Sequence, residues 1–216
     1  MATICNPLHP LPALLAAIAL LISVPGRAEQ PMAMDESMPM AHHHHDHHDM
    51  AAMAQAPLVR STGDYQVPDV TLRNADGKAV ALRSMLDDGE PMMLNFIYTS
   101  CTSVCPAMSG IFSQVQARLG KQVHLVSISI DPEYDTPARL KAYASRFNAS
   151  PQWTLLTGRL EDSVAVQRAF ASYRGDKMDH VAATFMRSAP GEPWLRIDGL
   201  ASADELVQEY RHLAAH

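Results

Sequence analysis

The sequence has few cysteines: Cys5, Cys101 and Cys105 are the only three among 216 residues. Cys5 lies in a segment that we expect to be removed, so the folded part keeps one pair, four residues apart. A single close pair excludes a small domain held together by several disulfides. The pair instead indicates a redox site or a metal site.

Positive charge is also scarce, since Lys and Arg total 17 against 23 Asp and Glu, and the formal net charge is -6. A nucleic-acid partner normally requires a basic face, so this charge balance argues against one. The sequence has no run of Lys or Arg that would indicate binding to an anionic membrane surface. Hydrophobic residues make up 47% of the chain, which is enough for the core of one domain with extensions.

The first 28 residues are typical of an export signal. Leu11 to Val24 is apolar, with the length of a signal-peptide core and short for a membrane span of roughly 20 residues. Gly26 and Ala28 are small residues at the two positions that a signal peptidase recognises, so cleavage is predicted after Ala28. The first ten residues lack Lys and Arg, so an uncleaved anchor is the alternative and the only expected membrane contact. Both alternatives predict export to the periplasm.

Residues 29–57 differ in composition, because they are rich in Met and His and contain no aromatic or β-branched residue. Such a segment cannot bury a core and is predicted to be disordered when unliganded. Thioethers favour Cu(I), whereas imidazoles favour Cu(II), Ni(II) and Zn(II), so we expect auxiliary metal binding rather than a purification tag or an inert linker. The candidate auxiliary ligands are His42, His43, His44, His45, His47, His48, Met38, Met40 and Met50.

Residues 58–216 have the alternation of apolar strands and amphipathic helices that predicts an α/β layered sheet. The predicted strands are Val67–Leu72, Ala79–Leu82, Met92–Tyr98, Val123–Ile130, Trp153–Leu156, Val181–Met186 and Trp194–Ile197. The first two form an added N-terminal hairpin. The predicted helices end near Leu119, Phe147, Tyr173 and Leu213. A cysteine pair between the first central strand and the first long helix favours a thioredoxin-like sheet flanked by helices.

Cys101-Thr-Ser-Val-Cys105-Pro106 is the centre of the predicted chemistry. A helix N-terminus lowers the pKa of a thiol, because its free N–H groups and its dipole favour the thiolate. A four-residue step places two side chains on one helix face, which suits two sulfurs on one soft metal such as Cu(I). A strained disulfide is also compatible if Cys101 lies in the preceding loop. Two inert thiols are a poor explanation in an oxidising compartment.

His180 is the second candidate, at the end of a polar loop and before an apolar strand. From its position alone, a lone histidine is more often structural or exposed than a metal ligand. His124 lies within an apolar strand and is predicted to be a core residue. His212 and His216 lie at the end of the last helix, where histidine also complements the helix dipole.

Three motifs together resemble the SCO/SenC family: NFIYTSCTSVCP, then SISIDPEYDTP, then Asp179-His180 before a strand. The resemblance covers about Tyr65 to Arg211. It implies that Cys101, Cys105 and His180 bind copper, as Cu(I), Cu(II) or both. The family commonly carries Pro and an acidic residue where this sequence has Thr102 and Ser103. The replacement leaves the three expected ligands intact but lacks the acid that would tune the site.

The resemblance also implies a copper chaperone that assists assembly of the CuA site of cytochrome c oxidase. Its expected partners are the oxidase subunit that carries CuA and another periplasmic copper chaperone. A thiol-disulfide oxidoreductase acting on partner cysteines, through Cys101 and Cys105 as a redox pair, is the first alternative. Copper sequestration by residues 29–57 is the second. A peroxiredoxin-like peroxidase is disfavoured, because the Pro-x-x-x-Thr/Ser-x-x-Cys pattern is absent.

Overall fold

A computed structural model describes residues 57–215. The predictions for the export segment and for the Met/His-rich segment up to residue 56 therefore lie outside the described residues. The described strands are β1 Val59–Gly63, β2 Thr71–Asn74, β3 Ala79–Ala81, β4 Met92–Ile97, β5 His124–Ser129, β6 Trp153–Thr157, β7 Ala183–Arg187 and β8 Trp194–Asp198. The α-helices are α1 Leu82–Leu86, α2 Val104–Leu119, α3 Pro137–Arg146, α4 Leu160–Ala169 and α5 Ala203–Leu213, and short 3₁₀ turns span Gly120–Gln122 and Lys177–Asp179.

All eight of these strands belong to one sheet in the order β1-β8-β7-β4-β5-β6-β2-β3. The central strands β4, β5 and β6 are parallel, whereas β7, β8 and β1 on one side and β2 and β3 on the other are antiparallel. Every residue of β4 is buried, as a strand covered on both faces requires. The predicted sheet is confirmed. The predicted hairpin is present as β2–β3, but β2 spans Thr71–Asn74 rather than Val67–Leu72, and Leu82 begins helix α1, which was not predicted.

Two hydrophobic clusters cover the two faces of the sheet. On β4, Met93 and Ile97 belong to the first cluster, whereas Leu94 and Phe96 belong to the second, as the alternation of side chains along a strand dictates. The first cluster includes residues of α2, α3 and α5, and the second includes residues of α1 and α4. The described residues therefore form a hydrophobic core on each face of the sheet.

Helix ends follow the signals in the sequence. The Thr136 hydroxyl caps α3 by accepting from the Arg139 N–H, and Pro137 is the first helical residue, as predicted. Gly120 ends α2 with φ 55, a conformation that glycine adopts without strain. No helix in the described part of the chain is long and apolar enough to cross a membrane.

Three local predictions require correction. Strand β1 was not predicted, because four of its five residues are exposed and give no apolar alternation; it pairs with β8 from Val59 to Gly63. Helix α4 ends at Ala169 rather than Tyr173, since Ala171 adopts φ 50. His124 is only partly buried, and its Nε2 lies 2.9 Å from the Thr154 hydroxyl, so it is not an enclosed core residue.

Candidate metal and thiol site

The two cysteines lie where β4 gives way to α2. Cys101 belongs to the loop between them, and its N–H donates to the Tyr98 carbonyl at 3.2 Å. Cys105 is the second residue of α2. Its backbone N–H donates to the Cys101 Sγ at 3.4 Å, so the first turn of the helix is directed at the loop sulfur. Cys101 is 7% exposed and Cys105 is fully buried, and both are free thiols.

The surroundings of the pair shift the pKa values of the two thiols in opposite directions. The pKa of Cys101 falls to about 4, because the Cys105 thiol and the backbone N–H groups of Cys105 and Ser103 donate to its sulfur and outweigh the opposing effect of burial. The pKa of Cys105 is raised, first by its thiol donating to Cys101 and then by burial. The pair therefore shares one proton at neutral pH, with the thiolate on Cys101. A thiolate is both a nucleophile and a metal ligand.

A buried carboxylate fixes the loop that carries Cys101. Asp135 has no exposed surface, and it accepts from the Thr99 N–H at 3.1 Å, from the Thr99 hydroxyl and from the Ser129 hydroxyl at 2.6 Å. Sequence reasoning explained Asp135 as part of a turn before a helix cap. The structure adds a link between that turn and the cysteine loop, which are 36 residues apart along the chain.

His180 follows the 3₁₀ turn Lys177–Asp179. Its Nε2 lies 2.9 Å from the Phe96 carbonyl oxygen. Because a carbonyl only accepts, Nε2 carries the proton, and burial lowers the pKa of His180 so that the ring is neutral. The lone pair is then on Nδ1. Metal-binding histidines commonly donate their other N–H to a carbonyl, so this bond suits a ligand that binds through Nδ1.

The predicted ligands are not all assembled. Cys101 and Cys105 are in contact, while the His180 ring lies against Tyr98, with their centroids 6.4 Å apart and the planes at 73°. Between residues 57 and 215, no three Cys, His, Asp or Glu side chains are placed to hold a metal ion together. Two sulfurs and an imidazole are a donor set that fits copper.

The outer edge of the site contains residues that sequence reasoning did not select. The Tyr98 hydroxyl donates to the Met178 Sδ at 3.8 Å. The Lys177 ammonium forms an ion pair with Asp131 at 2.5 Å and lies 5.7 Å from the Tyr98 ring centroid. Tyr98 directly precedes the cysteine loop and Met178 lies two residues before His180, so proximity to the motifs was the available signal.

The domain that the structure describes is similar to known proteins. Residues 60–215 match the protein family described as SCO1/SenC. The SCO1 protein homolog of Bacillus subtilis is 35% identical over 105 residues, which are 47% of this chain and 53% of that protein. The chain thus spans about half the length of this curated relative.

Solved structures share the fold. A structure of BsSco, described as a member of the Sco family of cytochrome c oxidase assembly proteins with a disulfide switch, is 25% identical with a TM-score of 0.60, covering 73% of this chain and 98% of that one. The copper-bound ScoI of Bradyrhizobium japonicum is 29% identical with a TM-score of 0.54, and the match covers 66% of this chain and 96% of that one. The predicted thioredoxin-like α/β fold is confirmed.

Proposed function

This chain belongs to the SCO1/SenC family, and we propose that it is a copper chaperone that binds copper through Cys101, Cys105 and His180. The observation that carries the proposal is the hydrogen bond from the Cys105 backbone N–H to the Cys101 sulfur at the start of α2, with Cys101 held as a thiolate. Two thiolates select Cu(I), and an imidazole as the third ligand also accommodates Cu(II). Copper here is the cargo of the protein.

Loading the site with copper requires two changes in the protein. The Cys105 thiol releases its proton to solvent, because the metal replaces that proton as the partner of the sulfur. The Nδ1 of His180 moves toward the cysteines while its Nε2–H stays oriented by the Phe96 carbonyl. The segment that precedes His180 is exposed from Arg174 to Asp179, so few packing contacts oppose this movement.

We further propose that the recipient is the subunit of cytochrome c oxidase that carries the CuA site, with another periplasmic copper chaperone as the donor. The support is the family match together with BsSco, which is described as belonging to cytochrome c oxidase assembly proteins. This role places the chain in the periplasm, which agrees with the export signal predicted from residues 1–28.

The asymmetry of the thiols also supports the second candidate, a thiol-disulfide oxidoreductase. The Cys101 thiolate would attack a disulfide of a partner, releasing one partner thiolate and forming a mixed disulfide. Cys105 would then lose its proton and attack the Cys101 sulfur, which releases the second partner thiolate and leaves a Cys101–Cys105 disulfide. The partner gains two electrons and the pair loses two. Full burial of Cys105 suits the resolving role.

Copper binding to the reduced chain tests the first candidate. We expect deletion of residues 30–56 to lower the metal stoichiometry, because it removes the Met/His-rich segment, while one tight equivalent remains. His180→Ala in that background should weaken the remaining site strongly and leave thiol exchange nearly unchanged. His124→Gln is the matched control, since this histidine contacts Thr154 rather than the thiols.

The same experiment separates the alternatives. Tight binding that is indifferent to His180→Ala, or no tight binding beside rapid disulfide exchange, would contradict the chaperone proposal and favour the oxidoreductase. Loss of all tight binding on deletion of residues 30–56 would favour sequestration by that segment. The deletion leaves both core clusters intact, so thermal unfolding checks that the domain is folded.

A further inference from the structure

Met178 is unusually exposed for an apolar residue. It exposes 73% of its surface, more than any other large hydrophobic residue in the described part of the chain. Its backbone is nevertheless fixed: the Met178 N–H donates to the Asp176 Oδ1 at 2.9 Å, and the His180 N–H donates to the Lys177 carbonyl at 3.2 Å. A short, hydrogen-bonded turn therefore presents the thioether to solvent two residues before a proposed copper ligand.

The sulfur of Met178 contacts Tyr98, which lies at the start of the loop that carries Cys101. Its Sδ accepts from the Tyr98 hydroxyl at 3.8 Å. The carbonyl of the same residue accepts from the Cys101 N–H at 3.2 Å. Tyr98 thus contacts Met178 through its hydroxyl and Cys101 through its backbone, so one residue links the outer thioether to the cysteine loop.

We propose that Met178 is the entry ligand for Cu(I), which binds the exposed thioether first and then passes to the Cys101 thiolate. The inference rests on the proposed copper-binding function and adds a residue to it. Thioethers are neutral, soft donors that prefer Cu(I), and a single one binds weakly enough to release the ion to two thiolates. The transfer exchanges ligands without electron transfer, and the only proton released is that of Cys105.

The charges around Met178 do not oppose arrival of a cation. Lys177 precedes Met178 in the chain, and its ammonium is paired with the Asp131 carboxylate at 2.5 Å. Asp176 precedes the turn and Asp179 is its last residue, and both add negative charge. The side chain of Met178 buries little apolar surface, so packing does not account for a methionine here: a leucine would supply the same apolar contacts but no sulfur.

A sulfur-specific substitution tests the inference in the full, reduced chain with methionine methyl groups labelled with ¹³C. Cu(I) is added without oxygen, and the Met178 methyl resonance is assigned by its loss in Met178→Leu. We expect that resonance to shift during the titration with Cu(I) and to stay in place with Zn(II). We also expect Met178→Leu to load its thiols severalfold more slowly, as followed by thiolate–copper absorption, with the final amount of thiol-bound copper unchanged.

Met85→Leu is the matched control, because Met85 packs against the second core cluster, away from the thiols; its loading rate should equal that of the unmodified chain. If copper reaches the thiols while the Met178 resonance stays in place and Met178→Leu loads at the normal rate, the entry role is wrong and the proposed function stands. If no thiolate–copper absorption develops in the unmodified chain, the proposed function itself fails.

Discussion

Replacement of Asp135 should test whether this residue anchors the loop that carries Cys101, as distinct from a role in the chemistry of the thiols. Asp135→Asn keeps the size of the side chain but turns an amide toward three donors: the Thr99 N–H, the Thr99 hydroxyl and the Ser129 hydroxyl. Hydrogen bonds to a buried charged group contribute about 1.5–3 kcal/mol each. Since the remaining amide oxygen still accepts from one or two donors, the free energy of unfolding should fall by about 2–4 kcal/mol.

Urea unfolding measures this loss, and the alkylation rate of Cys101 reports whether its loop has loosened. Asp131→Asn is a matched control on the same turn, because its partner is the exposed Lys177 ammonium, and a pair of that kind contributes at most about 1 kcal/mol. Equal destabilisation by the two substitutions would refute the argument that Asp135 anchors the cysteine loop, and so would an unchanged midpoint for Asp135→Asn.

Two further predictions concern pH and helix capping. With its pKa lowered from 9.0 to about 4, Cys101 in the folded chain should react with iodoacetamide at a nearly constant rate down to about pH 5, and a rate that falls tenfold per unit below pH 8 would contradict the thiolate. Because the pKa of Cys101 is lower in the folded chain, this group stabilises the fold fully above pH 9.0 and loses that contribution as pH falls toward 4. Urea unfolding of Cys101→Ser against the unmodified chain checks this. The raised pKa of Cys105 has the opposite effect, which lowers stability at pH above the ordinary pKa of a thiol. Ser202→Ala removes the capping box with Glu205 at the start of α5 and should cost about 1 kcal/mol, and no change in the urea midpoint would contradict that role.

The local pattern of the sequence was sufficient for most of the fold. The continuous apolar run of β4 predicted a central strand, and Thr136 with Pro137 predicted the start of α3, because these signals act within a few residues. Strand β1 was not predictable in this way. Its residues are largely exposed, and its pairing with β8 joins positions such as Val59 and Asp198 that are distant in sequence.

The sequence by itself determined which residues are proposed for the site: a CxxxC pair at a strand-to-helix junction, and a histidine selected by the resemblance of three motifs. Only the tertiary structure decided how these groups behave. The Cys105 N–H and thiol assign the thiolate to Cys101, the Phe96 carbonyl sets the tautomer of His180, and the fold brings Met178 to Tyr98, 80 residues away. Each of these effects depends on a donor and an acceptor meeting in space, which composition and spacing do not encode.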